Sequence, residues 1–190
     1  MSYVENKGFD LLKDELKLQT NFAIFSINNF NKSLQELNVL DSDADYQELK
    51  IKFWYYLQNY IVSLGNVSKL LNRIQKLNIS RRQIGSFNKK NYPHLMDRGM
   101  RNALEHIDER ILNLSKIKNA SIFNRNIIAS NSIIINGKPL EDTGLKLLRT
   151  YLSDKKELLL YGQRFSLNET IPELLKLRDE FSKEKREELQ

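Results

Sequence analysis

The sequence predicts a mainly α-helical protein, an antiparallel helical bundle over residues 1–118 with a small C-terminal α+β extension over residues 119–190. Apolar residues recur at steps of three and four through the first part, which is the period of an amphipathic helix. Beyond Lys118 the pattern changes to short apolar runs between turn residues, which are typical of strands. With 7 glycines, 3 prolines, 28% charged and 41% hydrophobic residues, the composition favours a folded, helix-rich chain with one main core.

The first predicted helix runs from Phe9 to Leu37. Its apolar stripe consists of Leu16, Ala23, Ile27, Phe30, Leu34 and Leu37. Because Phe22, Ile24 and Phe25 widen this stripe, we expect its middle to contact two neighbouring elements or a second subunit.

A second long helix follows a turn at residues 38–45, where Asp and Ser compete for backbone hydrogen bonds and can cap the next helix. Its stripe consists of Phe53, Leu57, Tyr60, Leu64, Val67, Leu71 and Ile74. Trp54, Tyr56, Ile61 and Leu70 add a second apolar flank. Two long helices of similar length joined by a short loop predict an antiparallel hairpin.

The third predicted helix begins at Pro93, since proline is tolerated in the first helical turn. It follows residues 78–92, a basic connector in which the helical period is lost and which carries Arg81 and Arg82. The core stripe of the third helix consists of Met96, Met100, Leu104, Ile107, Ile111 and Leu114.

The extension is predicted to contain strands and one final helix. Thr170 is a plausible N-cap for that helix, and Glu173 would complete a capping box. The predicted strands lie in the runs SIFNRNIIAS (121–130), SIIING (132–137) and ELLLYGQRF (157–165).

The composition excludes several kinds of site. The absence of cysteine rules out disulfides, thiolate metal sites and cysteine nucleophiles, and it favours a reducing cytoplasm. The N-terminal residues lack a signal-peptide core, and no run approaches the roughly 20 apolar residues of a membrane span. A cytoplasmic protein with no membrane association is therefore expected.

No nucleotide loop or metal motif is present either. The sequence lacks a P-loop, a G-x-G-x-x-G and an H-E-x-x-H motif, and two histidines are too few for zinc fingers. Glu105, His106 and Glu109 are better explained as a charged helix face than as a cation site. We therefore expect no cofactor and no metal, whereas the net charge of +6 favours a phosphate-bearing partner without identifying it.

The candidate site is RNALEH, residues 101–106, which places Arg101 and His106 five positions apart in the third helix. At about 100° per residue, Asn102 and His106 fall opposite the core stripe of that helix. The stretch resembles the R-x(4–6)-H signature of HEPN domains, in which a polar residue, often Asn, follows the arginine. FWYYLQNYIVSLGNVSKLL, residues 53–71, is similar to the long aromatic-rich helix that precedes the motif helix in bacterial HEPN-like proteins.

This resemblance implies a helical homodimer in which both motif helices line one cleft, and metal-independent RNA cleavage in the active members. His106 would then exchange a proton with the ribose 2′-hydroxyl or the leaving oxygen, and Arg101 would stabilise phosphate charge. Asn102, four residues before His106, would orient the imidazole. Such a nuclease fits a toxin or phage-defence role, with an antitoxin or other protein as a partner. Further candidates for phosphate binding are Arg98, Arg110, Arg81 and Arg82.

Two alternatives remain open. The chain is alternatively a non-catalytic HEPN-like module that binds RNA, a nucleotide or a protein, or a helical interaction protein without a ligand site. In the last case Arg101 and Glu105 form an exposed ion pair, and the aromatic residues Trp54, Tyr55 and Tyr56 serve dimerisation. Asp108 stands where toxins paired with nucleotidyltransferase antitoxins carry tyrosine, so modification there is not expected. His94 is interpreted as structural.

Overall fold

The computed structural model of the chain is mainly helical and contains a small four-stranded sheet in its C-terminal half. It describes residues 3–39, 43–77, 87–97, 99–116, 122–129, 134–135, 138–139, 146–161 and 163–187. The chain forms two compact units, which we call the helical unit (residues 1–98 and 172–190) and the mixed unit (residues 99–171). In the described parts of the chain, no helix combines the length and apolar character needed to cross a membrane.

The helical unit is built on a hairpin of two long helices, α1 (Tyr3–Leu37) and α2 (Asp43–Gln75). The Phe30 and Phe53 ring centroids lie 4.7 Å apart, and the Asn66 amide donates to Gln19 Oε1 at 3.1 Å. Phe30, late in α1, contacts Phe53, early in α2, whereas Gln19, earlier in α1, contacts Asn66, later in α2. The two helices are therefore antiparallel. The predicted hairpin is confirmed.

The apolar stripes of the two helices are buried to different extents. All seven stripe residues of α2 are buried, whereas α1 buries Leu16, Ala23, Ile27 and Phe30 and leaves Leu34 and Leu37 half-buried. Phe22 and Phe25, expected to contact neighbouring elements or a second subunit, are 48% and 63% exposed in the single chain. The sequence pattern correctly identified the core residues of the hairpin, whereas the contacts expected for Phe22 and Phe25 are not present in the single chain.

The prediction of a third helix starting at Pro93 is wrong, because residues 93–96 form turns and the next helix begins at Gly99. The Glu173 carboxylate accepts hydrogen bonds from the backbone N–H groups of His94 at 3.1 Å and Leu95 at 2.9 Å. This carboxylate was predicted to close a capping box within its own helix, and it instead satisfies the donors of the turn. Because Glu173 accepts hydrogen bonds from these two N–H groups, they are satisfied without the carbonyl acceptors that a helix would supply.

The C-terminal helix α5 (Thr170–Glu187) makes further contacts with residues 87–97 of the helical unit. The Lys176 ammonium lies 5.1 Å from the centroid of the Tyr92 ring, and the Phe87 and Phe181 rings stack at 5.6 Å. Tyr92 is fully buried. This segment therefore packs as part of the core, although the sequence predicted a basic connector followed by a helix.

The mixed unit begins with two short helices, α3 (Gly99–Glu105) and α4 (Ile107–Ser115), instead of one continuous helix. Met100, Leu104 and Ile107 of the predicted stripe are only half-buried, and Ile111 is exposed. Helices in proteins are stabilised mainly by packing of an apolar face. The stripe of residues 100–111 is only partly buried, so packing stabilises a continuous helix here less than it does in α2, whose stripe is fully buried.

The sheet has the strand order β1-β4-β5-β6, with β1 and β4 parallel and the other neighbours antiparallel. Its strands are β1 (Ile122–Ala129), β4 (Lys146–Leu152), β5 (Glu157–Leu160) and β6 (Gln163–Ser166), and β2 (Ile134–Ile135) pairs with β3 (Lys138–Pro139) as a separate ribbon. The run at 157–165 forms a hairpin of two strands, and β4 was not predicted. β4 buries Thr150, Tyr151 and Leu152 in succession, so it lacks the alternation that marks a half-exposed strand.

The two compact units do not coincide with the predicted division after residue 118. Residues 99–116 group with the sheet, since α3 contacts β5. The final helix, predicted as part of the extension, contributes residues 172–187 to the helical unit. The motif residues therefore belong to the mixed unit.

Candidate functional site

The RNALEH motif lies across the junction between α3 and α4, and His106 is the turn residue between them. The N–H of His106 donates to the Asn102 carbonyl at 3.3 Å, and the N–H of Arg110 donates to the His106 carbonyl at 3.0 Å. Because helix-type hydrogen bonds persist on both sides, the interruption is confined to one residue. His106 thus sits at a helix junction, whereas the sequence predicted a position in the middle of a helix.

Arg101 is held by its own helix. Its side chain is 11% exposed, and its guanidinium donates to the Glu105 carboxylate one turn later. The i, i+4 spacing places these two groups side by side on a helix. The ion pair that the sequence left open as an alternative is therefore present, and Arg101 can bind a phosphate only by sharing or exchanging this carboxylate.

His106 is the accessible member of the motif. Its side chain is 57% exposed, and its Nδ1 atom lies 3.7 Å from Glu109 Oε2. This distance is too long for a hydrogen bond but short enough for attraction between a protonated imidazole and the carboxylate. The Glu109 contact is on the Nδ1 side of the ring, so Nε2 is the nitrogen available to a ligand.

The supporting residue is not positioned as expected. Asn102 is exposed and makes no side-chain hydrogen bond to His106. The charged neighbour of the imidazole is Glu109, which sequence reasoning had assigned only to a charged helix face. Its position three residues after His106 was the available signal, since i, i+3 residues are neighbours on a helix.

Of the four additional phosphate candidates, the structure describes one. Arg110 is half-buried, and its Nε atom is buried without a hydrogen-bond partner. A guanidinium with an unsatisfied buried N–H favours an acceptor that approaches it. Arg98, Arg81 and Arg82 lie outside the described residues.

The electrostatic surroundings of His106 are mixed. Glu105, Asp108 and Glu109 are all exposed near it in sequence, whereas Arg101 is already paired with the first of these carboxylates. A phosphate that approaches His106 meets repulsion unless Arg101 or Arg110 offsets it. The local charge therefore disfavours phosphate in the single chain.

Two separate polar pairs lie in the sheet, and neither was found from the sequence. Arg149 Nε donates to the Tyr161 hydroxyl at 3.1 Å, and Arg164 lies 3.3 Å from Glu157. On the same face as Arg149, burial raises the pKa of Tyr151 to about 12. The register of β4, β5 and β6 brings the partners of each pair together and sets Arg149 and Glu157 on opposite faces of the sheet, and β4 was not predicted.

The described ranges contain no group of three or more His, Asp and Glu side chains arranged to hold a metal ion. Comparisons with protein-family models, with curated proteins and with solved structures give no match for this chain.

Proposed function

We propose that the chain is a HEPN-like homodimer that cleaves RNA without a metal ion, with His106 as the reacting group and Arg101 as the phosphate-binding group. The observation that carries the proposal is the 57% exposure of the His106 side chain, with Glu109 3.7 Å from its Nδ1 atom. An imidazole has one nitrogen that can accept a proton and one that can donate a proton, so it can serve as a general base or acid. The RNALEH resemblance supplies the reaction class.

In the proposed reaction, His106 Nε2 removes the proton of a ribose 2′-hydroxyl, and the 2′-oxygen attacks the adjacent phosphorus. The bond to the 5′-oxygen breaks, and a second imidazole from the other copy protonates this leaving group. The products are a 2′,3′-cyclic phosphate and a 5′-hydroxyl. Glu109 stabilises the imidazolium that forms after the first proton transfer.

Arg101 reaches the phosphate in this proposal only when Glu105 releases it. Glu105→Gln is therefore expected to strengthen RNA binding, because it removes a negative charge and frees the guanidinium. Asp108→Asn is the matched control, since it removes the same charge from the same stretch without touching the partner of Arg101. Fluorescence anisotropy with a short RNA should show a larger gain for Glu105→Gln, and equal gains would contradict the exchange.

The arrangement also favours a second candidate, a HEPN-like module that binds RNA, a nucleotide or a protein without cleaving RNA. The specific observations are the Arg101–Glu105 pair and the missing bond between Asn102 and His106. Both leave the motif less preorganised than a site in which Asn102 orients His106 and Arg101 is unpaired. A role in the cytoplasm as a toxin or defence protein with an antitoxin partner belongs to the first candidate and is supported by the resemblance alone.

The deciding experiment incubates purified protein with a mixed pool of RNAs in EDTA. The variants are His106→Ala and Arg101→Ala, and His94→Ala is the matched control because His94 is the only other histidine and is also exposed. Cleavage by the wild type and His94→Ala, lost in the other two variants while their circular dichroism is unchanged, supports the nuclease. Intact RNA with salt-dependent binding supports the second candidate.

A further inference from the structure

Residues 49–96 contain no Asp or Glu, and we call them the acid-free segment. This segment carries nine Lys and Arg side chains, whereas the rest of the chain carries the other 21 together with all 24 Asp and Glu. The net positive charge of the chain therefore comes entirely from the acid-free segment. Positive charge concentrated in one part of a chain favours the binding of a polyanion.

Three cations of the acid-free segment form a row at the C-terminal end of α2. Lys69, Arg73 and Lys76 are exposed and fall within an arc of about 60° at 100° per residue. Lys76 directly follows the helix and continues its last turn, since its N–H donates to the Arg73 carbonyl at 3.1 Å. Buried Leu71 lies about 170° from the middle of the arc. These three side chains, which we call the basic row, therefore lie opposite the core face of α2.

The cations of the basic row are available to a ligand. Among the residues that the structure describes, none of the three has a carboxylate within ion-pair distance. Lys52, on the same helix, is instead paired with Glu48 at 2.6 Å. Arg101 of the RNALEH motif is paired with Glu105. A phosphate that approaches the basic row displaces no carboxylate, so each charge-assisted contact forms without competition.

The surroundings of the basic row favour a nucleic acid over a membrane or a protein. No large apolar side chain is exposed in residues 63–77, all of which are described, and Val62 lies about 10 Å along the axis from Lys69. An amphipathic helix on a membrane inserts apolar side chains, and a protein interface buries an apolar core. A nucleic acid backbone requires neither, because the protein side of such interfaces is polar and strongly positive.

The length of the basic row suits a phosphate backbone. Lys69 and Lys76 lie about 10 Å apart along the axis. One strand of a nucleic acid helix carries a phosphate per about 3.4 Å of axis, so the row spans about three phosphates. Stabilisation of α2 itself accounts for only part of the row, since cations favour a helix C-terminus within the last turn, which includes Arg73 but not Lys69.

We propose that the basic row binds the phosphate backbone of RNA, as a contact separate from the RNALEH motif. Phosphate contacts position a strand without reading its bases, so this binding is independent of sequence. The choice of RNA rests on the proposed function, in which His106 reacts with a ribose 2′-hydroxyl. The contact itself lies within the helical unit and does not depend on that reaction.

Fluorescence anisotropy with a mixed-sequence 2′-O-methyl RNA tests the basic row, because this probe lacks the hydroxyl that the proposed reaction needs and stays intact. The triple variant Lys69→Gln/Arg73→Gln/Lys76→Gln should bind about a hundredfold more weakly than the wild type in about 0.1 M salt, with the logarithmic salt slope reduced by about 2. The matched control removes three exposed lysines from α1 and should keep the wild-type slope: Lys7→Gln/Lys17→Gln/Lys32→Gln.

Three outcomes overturn the proposal. The first is an equal loss of affinity in the two triple variants, which would mean that total charge alone decides. The second is a basic-row variant that unfolds at lower urea concentration but binds the probe as tightly as the wild type. The third is displacement of the probe by phosphatidylserine vesicles or polyglutamate at a lower charge concentration than by unlabelled RNA.

Arg101→Ala distinguishes failure of the basic row from failure of the proposed function. This variant should lose cleavage of ordinary RNA and keep the wild-type salt slope for the probe to within about 1, since it removes at most one phosphate contact. RNA that is bound through the basic row and never cut supports the row and contradicts the nuclease. RNA that is cut, with probe affinity unchanged in the basic-row variant, supports the nuclease and overturns the row.

Discussion

The two compact units reach a buried core by different physical routes. In the helical unit, the buried residues lie at positions 16–33 of α1 and 53–74 of α2, and successive buried positions lie about one turn apart or less. In the mixed unit, β1 pairs in parallel with β4 across a long connection, and two turns place residues other than glycine at positive φ. The first route depends on side-chain packing, whereas the second also requires backbone conformations that side chains disfavour.

The largest effect should come from removing a ring in the helical hairpin. Phe53 is fully buried, and its ring centroid lies 4.7 Å from that of Phe30 and 5.2 Å from that of Trp54. Phe53→Ala should lower the free energy of unfolding by about 3–5 kcal/mol, because it removes buried surface and leaves a cavity. Urea denaturation measures the loss. Tyr55→Ala, at a 62% exposed position of the same helix, is the control and should change stability little.

In the mixed unit, two turn residues share one backbone conformation and differ in burial, so they separate strain from packing. Tyr161 and Lys156 both have φ of 49°, but Tyr161 is buried and accepts a hydrogen bond from Arg149, whereas Lys156 is exposed. Tyr161→Gly should destabilise by about 2–4 kcal/mol, since lost packing exceeds relieved strain. Lys156→Gly should stabilise by about 1 kcal/mol.

If both glycine variants changed the free energy of unfolding by the same amount and in the same direction, backbone strain alone would determine the stability of these turns. Chemical denaturation of both proteins in parallel, with the far-ultraviolet spectrum as a check on the fold, gives the comparison.

The difference between the units also explains what could be predicted from the sequence. The α1–α2 hairpin could be predicted because apolar residues recur every three or four positions along each helix. This spacing was enough to place Leu57 and Leu71 in the core. The turn at His94 and Leu95 could not be predicted, because its donors are satisfied by Glu173, a residue far along the chain. For the candidate site, the i, i+4 spacing correctly suggested the pairing of Arg101 with Glu105. The break at His106 left no local signal.

The contact of Glu173 with the turn at His94 and Leu95 joins distant parts of the chain within the helical unit. Its loss should have the next largest effect on the free energy of unfolding. Its side chain is 13% exposed, and its loss leaves the backbone donors of His94 and Leu95 without their acceptor. Glu173→Ala should therefore destabilise by about 1–3 kcal/mol. Glu48→Gln is the control, because Glu48 is exposed and its pair with Lys52 is solvated. Equal losses in urea would show that the turn does not depend on Glu173.

The smallest predicted effect is on stability at alkaline pH, and it tests whether Tyr151 is buried in the sheet. Burial raises the pKa of Tyr151 to about 12 from its ordinary value of 10, so the folded state holds this proton more tightly than the unfolded state. Stability from this group is fully present below pH 10 and is lost as the pH rises from 10 towards 12. Tyr151→Phe cannot ionise, so its stability should fall less steeply across that window than that of the wild type. Parallel slopes for the two proteins in pH-dependent urea denaturation would mean that water reaches the Tyr151 hydroxyl in the folded sheet.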